Sequence, residues 1–163
     1  LSRVVVGVDP TRAEHPGDEC GIVVAGIGVD GHCYVLEDAT VQGSPAVWAT
    51  AALNAFRANR ADKIVYERNR LGRETEGTLR ALDPAARWEG VQATDDKPTR
   101  AEPVSALYEL GKVHHVGRFP VLEDEMVTLD PTQPGPSPNR VDALVWCVTD
   151  LMLGAYRAPL VLR

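Results

Sequence analysis

The first forty residues constrain most strongly what this chain can become. Arg3 to Asp9 reads RVVVGVD, a β-branched apolar run closed by Pro10 and Thr11, and it predicts a buried strand that ends on an aspartate. A polar loop with Pro16 and Gly17 follows, and then a second apolar run, CGIVVAGIGV, from Cys20 to Val29. Asp30-Gly31 is a hairpin turn signal, since tight turns need residues that tolerate positive φ. His32 to Asp38 (HCYVLED) then makes a third strand. Three consecutive strands of this kind predict an antiparallel meander at one side of a sheet.

Beyond Gly43 the pattern changes. Ser44 is an N-cap candidate with Pro45 behind it, and Ala46 to Asn59 is alanine-rich with apolar residues at helical spacing. Ile64 to Glu67 (IVYE) reads as a fourth strand, Leu71 to Leu82 as a helix stopped by Asp83-Pro84, and Trp88 to Ala93 as a fifth strand. Another helix opens at Pro98 or Thr99 and ends at Gly111, with Val113 to Val116 extended after it. Leu129 to Asn139 holds four prolines and predicts an irregular loop. Asn139 is a cap candidate for a last helix whose broad apolar face carries Val141, Leu144, Val145, Val148, Leu151 and Met152. Three strands, then alternating helices and strands, then a closing helix predict an α/β class: a mixed sheet with helices on its faces.

The 163 residues suit one domain, 1–163, and 44% hydrophobic residues suffice for its core. No apolar run reaches the roughly 18 residues of a membrane span, and no secretory signal opens the chain. A start at Leu1, directly on a strand, reads as a domain cut from a longer protein. The three cysteines are scattered, which fits a reducing, cytoplasmic setting and small core side chains rather than zinc or disulfides. A net charge of −6 argues against a general polyanion binder, because phosphate contacts need basic surface. It leaves room for a carboxylate-rich metal site, where bound cations reverse the local field.

Three acids sit where packing alone would not choose them. Asp9 ends the first strand, Glu67 ends the fourth, and Asp142 lies in the first turn of the last helix between apolar residues. If the first and fourth strands are neighbours, their carboxyl ends set Asp9 beside Glu67, and a helix packed across that end brings in Asp142. Clustered carboxylates repel one another unless a cation lies among them, and hard oxygen ligands select Mg²⁺ or Mn²⁺. Each acid also has an ordinary explanation: a strand-ending turn for Asp9, an ion pair with Arg68 or Arg70 for Glu67, a favourable helix-start charge for Asp142.

A resemblance favours the first reading. VVVGVDP (4–10), GDECGIVVAG (17–26), YVLEDAT (34–40), ADKIVYERN (61–69), KPTRAEPVSALYELGKVHHVG (97–117), LEDEM (122–126) and NRVDALVWCVTDL (139–151) follow one another in an order that resembles the nuclease domain of large terminase subunits from tailed bacteriophages. The resemblance implies a ribonuclease H-like fold and a hydrolase, an endonuclease cutting concatemeric double-stranded DNA during genome packaging. It implies that Asp9, Glu67 and Asp142 bind two catalytic Mg²⁺ or Mn²⁺ ions. It further implies an ATPase motor domain, and with it a portal or small terminase subunit as partner, in the cytoplasm of the host cell. The motor's G-x-x-x-x-G-K-[ST] loop does not occur in these residues. After Glu67 the sequence RNRLGRET is more basic and poorer in glycine than the family's usual stretch.

Arg68, Arg70 and Arg73 are the densest basic group, and with Lys97 and Arg100 at a helix start they are expected to contact the DNA backbone. Asp18 and Asp38 are weaker candidates near the metals. His114 and His115 are adjacent, so on a strand they face opposite ways and form no joint site. Trp48, Trp88 and Trp146 read as packing. The rival to an active nuclease is a DNA- or protein-docking module of the same fold without useful cutting.

Overall fold

The computed structural model describes residues 1–10, 19–68, 73–93, 95–129 and 137–154, apart from the side chains at 73–76 and 78. They form β1 (Arg3–Asp9), β2 (Glu19–Ile27), β3 (Cys33–Asp38), β4 (Val41–Gln42), α1 (Pro45–Ala58), β5 (Lys63–Glu67), α2 (Arg73–Leu82), β6 (Trp88–Val91), α3 (Lys97–Glu109), β7 (Val113–His115), α4 (Pro120–Thr128) and α5 (Asn139–Met152). The strands make a mixed sheet in the order β6-β5-β1-β2-β3-β7, with the short β4 pairing β2. β1, β2 and β3 are antiparallel neighbours, whereas β5 runs parallel to β1, β6 parallel to β5 and β7 parallel to β3. The meander therefore sits in the middle of the sheet rather than at one side. The three-residue β7 caps it, a strand too short for its pairing to be read from pattern.

Two layers of side chains follow from the period of two along each strand. Val4, Val6 and Val8 of β1 pack with Ile22, Val24, Ile64 and Tyr66 against Trp48, Ala49, Ala52 and Leu53 of α1. Val5, Val23, Ala25 and Val65 face the other way and pack against Val141, Leu144, Val145 and Val148 of α5. β1 and β2 are thus buried on both faces, which explains their unbroken apolar sequence.

α5 lies unusually close to the sheet. A Cβ at Gly7 would stand 2.2 Å from the Ala143 carbonyl oxygen, and one at Gly21 would stand 1.9 Å from that of Asn139. Bare glycine surfaces on β1 and β2 therefore let the helix backbone settle onto the strands. The Cys147 thiol reaches back to the carbonyls of Val23 (3.1 Å) and Val5 (3.5 Å).

Two helix starts differ from expectation. α3 begins at Lys97, capped by Asp96, whose Oδ1 accepts from the Thr99 amide at 3.0 Å. α5 is preceded by Pro138, with no side-chain cap, so Asn139 is its first turn and not its cap. α4, from Pro120 to Thr128, falls where the sequence shows no clear period: it fully buries Leu122 but leaves Val121 and Val127 exposed. Most of the proline-rich loop, with Asp18, Arg70 and Leu71 elsewhere, lies outside the described residues.

Candidate active site

β1 and β5 pair in parallel with Val8 opposite Tyr66, so the next step along both strands sets Asp9 beside Glu67. Asp9 lies two residues beyond Gly7 and Glu67 two beyond Val65, which puts both on the face covered by α5. Asp9 is also paired with Gly21, the residue on which Asn139 of α5 rests. Asp142 lies one helical turn further on, just before the Ala143 carbonyl that covers Gly7. Strand direction, side-chain parity and the two glycines thus carry three acids to one corner. All three are buried: Asp9 is 1% exposed, Glu67 6% and Asp142 6%.

Helix α3 meets this corner with two cations. Lys97 Nζ pairs with Asp142 Oδ2 and donates to Ser137 Oγ at 3.1 Å. Arg100, one turn along the same helix, places Nη1 3.5 Å from Glu67 Oε2 and its guanidinium carbon 4.5 Å from the centroid of the Trp146 ring. Arg100 is itself only 8% exposed. The sequence marked it as a contact for the DNA backbone, with a merely solvated helix start as the alternative, yet its guanidinium is turned inward onto Glu67 and Trp146. Lys97 retains some exposure but is likewise engaged with a carboxylate. Arg68 is exposed at the end of β5, with its Nε over Gly90 of β6. Arg73 opens α2, its side chain not described.

The donor set suits a hard divalent cation: three carboxylates, with no described histidine or cysteine placed among them. Among the described residues, no three such side chains already converge on one point. Two of the acids, Glu67 and Asp142, are instead engaged by the α3 cations. The residues fit a metal centre in kind, and in the metal-free protein α3 balances the charge of two of the three carboxylates.

A neighbouring feature had no sequence signal. Arg140, in the first turn of α5, is nearly buried and bonds three carboxylates: Asp38 through Nε at 3.0 Å, Glu125 through Nη1 at 3.0 Å, and Glu19. Burial opposes its charge, but the hydrogen bonds it donates to Glu19 and Glu125 outweigh it and hold the guanidinium above its ordinary value. Asp38, a candidate for the metal's surroundings, is thereby committed to Arg140. The acids come from β2, β3 and α4, so only tertiary structure brings them together.

The remaining candidates fall as the sequence implied. His114 stacks on His32, with Nε2 2.7 Å from its Nδ1, while His115 contacts Tyr108 and Glu123 on the other side. Trp48, Trp88 and Trp146 are buried, as are Cys20, Cys33 and Cys147. Among the described residues, no helix is long and apolar enough to cross a membrane.

An antiparallel meander extended by parallel strands, with α5 laid across the acidic ends of β1 and β5, defines a ribonuclease H-like fold, a nuclease-type architecture. The chain belongs to the terminase RNase H-like domain family, whose model matches residues 6–150. Its fold is similar to that of the large terminase nuclease from thermophilic phage G20c, with TM-score 0.68 and 12% identity over 90% of this chain and 81% of that one. The same phage nuclease with bound zinc gives TM-score 0.64 and 14% identity over 90% and 80% of the two chains. The yeast mitochondrial Holliday junction resolvase Ydc2 gives TM-score 0.58 and 12% identity over 91% and 77%. No curated protein matches the sequence significantly.

Proposed function

We propose that this chain is a divalent-metal-dependent endodeoxyribonuclease, the nuclease domain of a large terminase subunit that cuts double-stranded DNA during viral genome packaging. The observation that supports the reading is the burial of Asp9 and Glu67 at the adjacent ends of β1 and β5 and of Asp142 in the first turn of α5, the helix packed across those strands. Family membership and the G20c nuclease fold support it. Asp9, at the end of the central strand β1, would hold two Mg²⁺ or Mn²⁺ ions together with Glu67 and Asp142. When bound, such ions supply an activated water and stabilise the departing 3′ oxygen in phosphodiester hydrolysis.

The protein's own part is to hold the acids in place and keep them desolvated. α5 fixes Asp142 through its backbone contact with the strands, and the β1–β5 ladder fixes the spacing of Asp9 and Glu67. Exposed Arg68, next to Glu67, is placed to hold a phosphate of the backbone, with Arg70 and Arg73 following it in sequence. Among the described residues no element resembles a reader of base edges, so sequence preference is expected to be slight. The motor, portal and small-subunit partners belong to the same reading, as does action in the host cytoplasm.

Supercoiled plasmid incubated with Mn²⁺, Mg²⁺ or EDTA tests the proposal. Wild type should nick and linearise it only with metal, and Asp9→Ala should lose at least about a hundredfold of that rate. Equal cutting by both proteins would remove Asp9 from the mechanism. Absence of cutting by either, with DNA still bound, would favour a docking module.

A further inference from the structure

The two α3 cations differ in how they are held. The Arg100 guanidinium is buried, stacked on Trp146 and in charge contact with Glu67, and its Nε and Nη1 make no hydrogen bond. At these two nitrogens it is held by the aromatic face and by charge rather than by directional bonds, and little of it reaches solvent. The Lys97 side chain is 30% exposed, and its ammonium bridges Asp142 and Ser137 from the rim. An ammonium on a flexible four-carbon stem exchanges readily, whereas a stacked guanidinium does not.

Resting on the metal-binding reading above, we propose that α3 braces the centre with one permanent and one exchangeable cation. Arg100 is a positioning residue that keeps the Glu67 carboxylate aimed into the site whether or not metal is bound. Lys97 is the counter-ion of Asp142 in the metal-free protein and leaves when a divalent ion takes its place. Charge dictates the division of labour. Three buried carboxylates repel one another, and two cations relieve that repulsion without metal. Once divalent ions enter, the cation that can reach solvent is the one expelled.

The inference predicts opposite effects for two substitutions in Mn²⁺ titration calorimetry. Lys97→Met removes a competitor and should bind Mn²⁺ tighter, on the order of fivefold. Arg100→Lys keeps the charge but loses the planar stack, and should bind it more weakly by a similar factor. Metal-free Lys97→Met should also melt about 2–4 °C below wild type, a gap that closes in saturating Mn²⁺. Because Arg100 is buried, a loss of folding in its variant would mask the effect, so a crystal structure of Mn²⁺-loaded wild type is the second measurement. It should show Arg100 still over Trp146 and Lys97 withdrawn from Asp142. Shifts in the same direction for both variants, a persistent melting gap, or Lys97 still on Asp142 in the loaded crystal would overturn the inference alone. If wild type takes up no Mn²⁺, or Asp9→Ala takes it up equally, the metal reading itself fails and the inference with it.

Discussion

Cys33 shows how one side chain inherits its chemistry from its surroundings. Burial pushes its thiol up to about 11 from an ordinary 9.0, and burial likewise holds Cys147 well above its usual range. The raised value means that the folded state favours the neutral thiol. Its contribution to stability is complete below about pH 9 and is lost as the pH rises through about 11. The stability difference between wild type and Cys33→Ala, measured by urea unfolding, should therefore be flat from pH 7 to 9 and shrink above it. At pH 8, thiol reagents should leave Cys33 and Cys147 unmodified in the native protein. Rapid modification of either would contradict the packing described. Asp9 was legible because an aspartate closing an apolar strand is conspicuous, whereas Arg140 was not, because its partners Glu19, Asp38 and Glu125 are remote in sequence.

Among the elements, α5 does most to shape the site, and two glycines on the strands beneath it set its depth. Gly7→Ala would drive a methyl group to within 2.2 Å of the Ala143 carbonyl oxygen and 2.7 Å of the Cys147 sulfur. Relief requires the helix backbone to move, so a loss of about 3 kcal/mol is expected in chemical denaturation. Gly21→Ala, against Asn139, should cost about as much and also displace the turn that carries Asp142. Changes under about 0.5 kcal/mol for both would mean that α5 does not rest on these strands. The long apolar elements were readable from apolar runs and helical spacing: β1, β2, α1 and α5 appear within one or two residues of expectation. α4 was not, because it buries one side chain fully and leaves two valines in solvent, so little periodicity survives. The start of α3 was misjudged by one or two residues because Pro98 looked like the first helical position, whereas the Asp96 cap places Lys97 there.

For the whole molecule, charge is the governing quantity. A net −6 leaves few cations for phosphates, and Arg100, one of the expected contacts, is committed to the interior. DNA binding by an Asp9→Asn variant, followed by fluorescence anisotropy, should therefore be weak. Its log affinity against log salt should have a slope of about −3 or shallower, since each phosphate contact contributes about −0.9. A much steeper slope would require a basic surface other than the one beside Glu67. The opposite end of the sheet is tied by a buried ion pair, Lys63 with Asp150 at 2.7 Å, which joins β5 to the last turns of α5. α5 is thus anchored at both ends, by glycine contacts beside the acids and by this pair away from them.

The sequence by itself determined the order of the long elements, the apolar character of the first two strands and the placing of three acids at the ends of elements. Those features are local: side-chain period, turn chemistry and the end of a strand are written in neighbouring residues. Tertiary structure decided where the meander sits in the sheet, which cations face the acids and which arginine is buried. These depend on pairing between strands and helices far apart in sequence, and on close backbone approaches that a glycine permits but does not announce. Arg100 shows the distinction most clearly: its position at a helix start suggested solvent and phosphate, and the packing of α3 against α5 turned it onto Trp146 and Glu67.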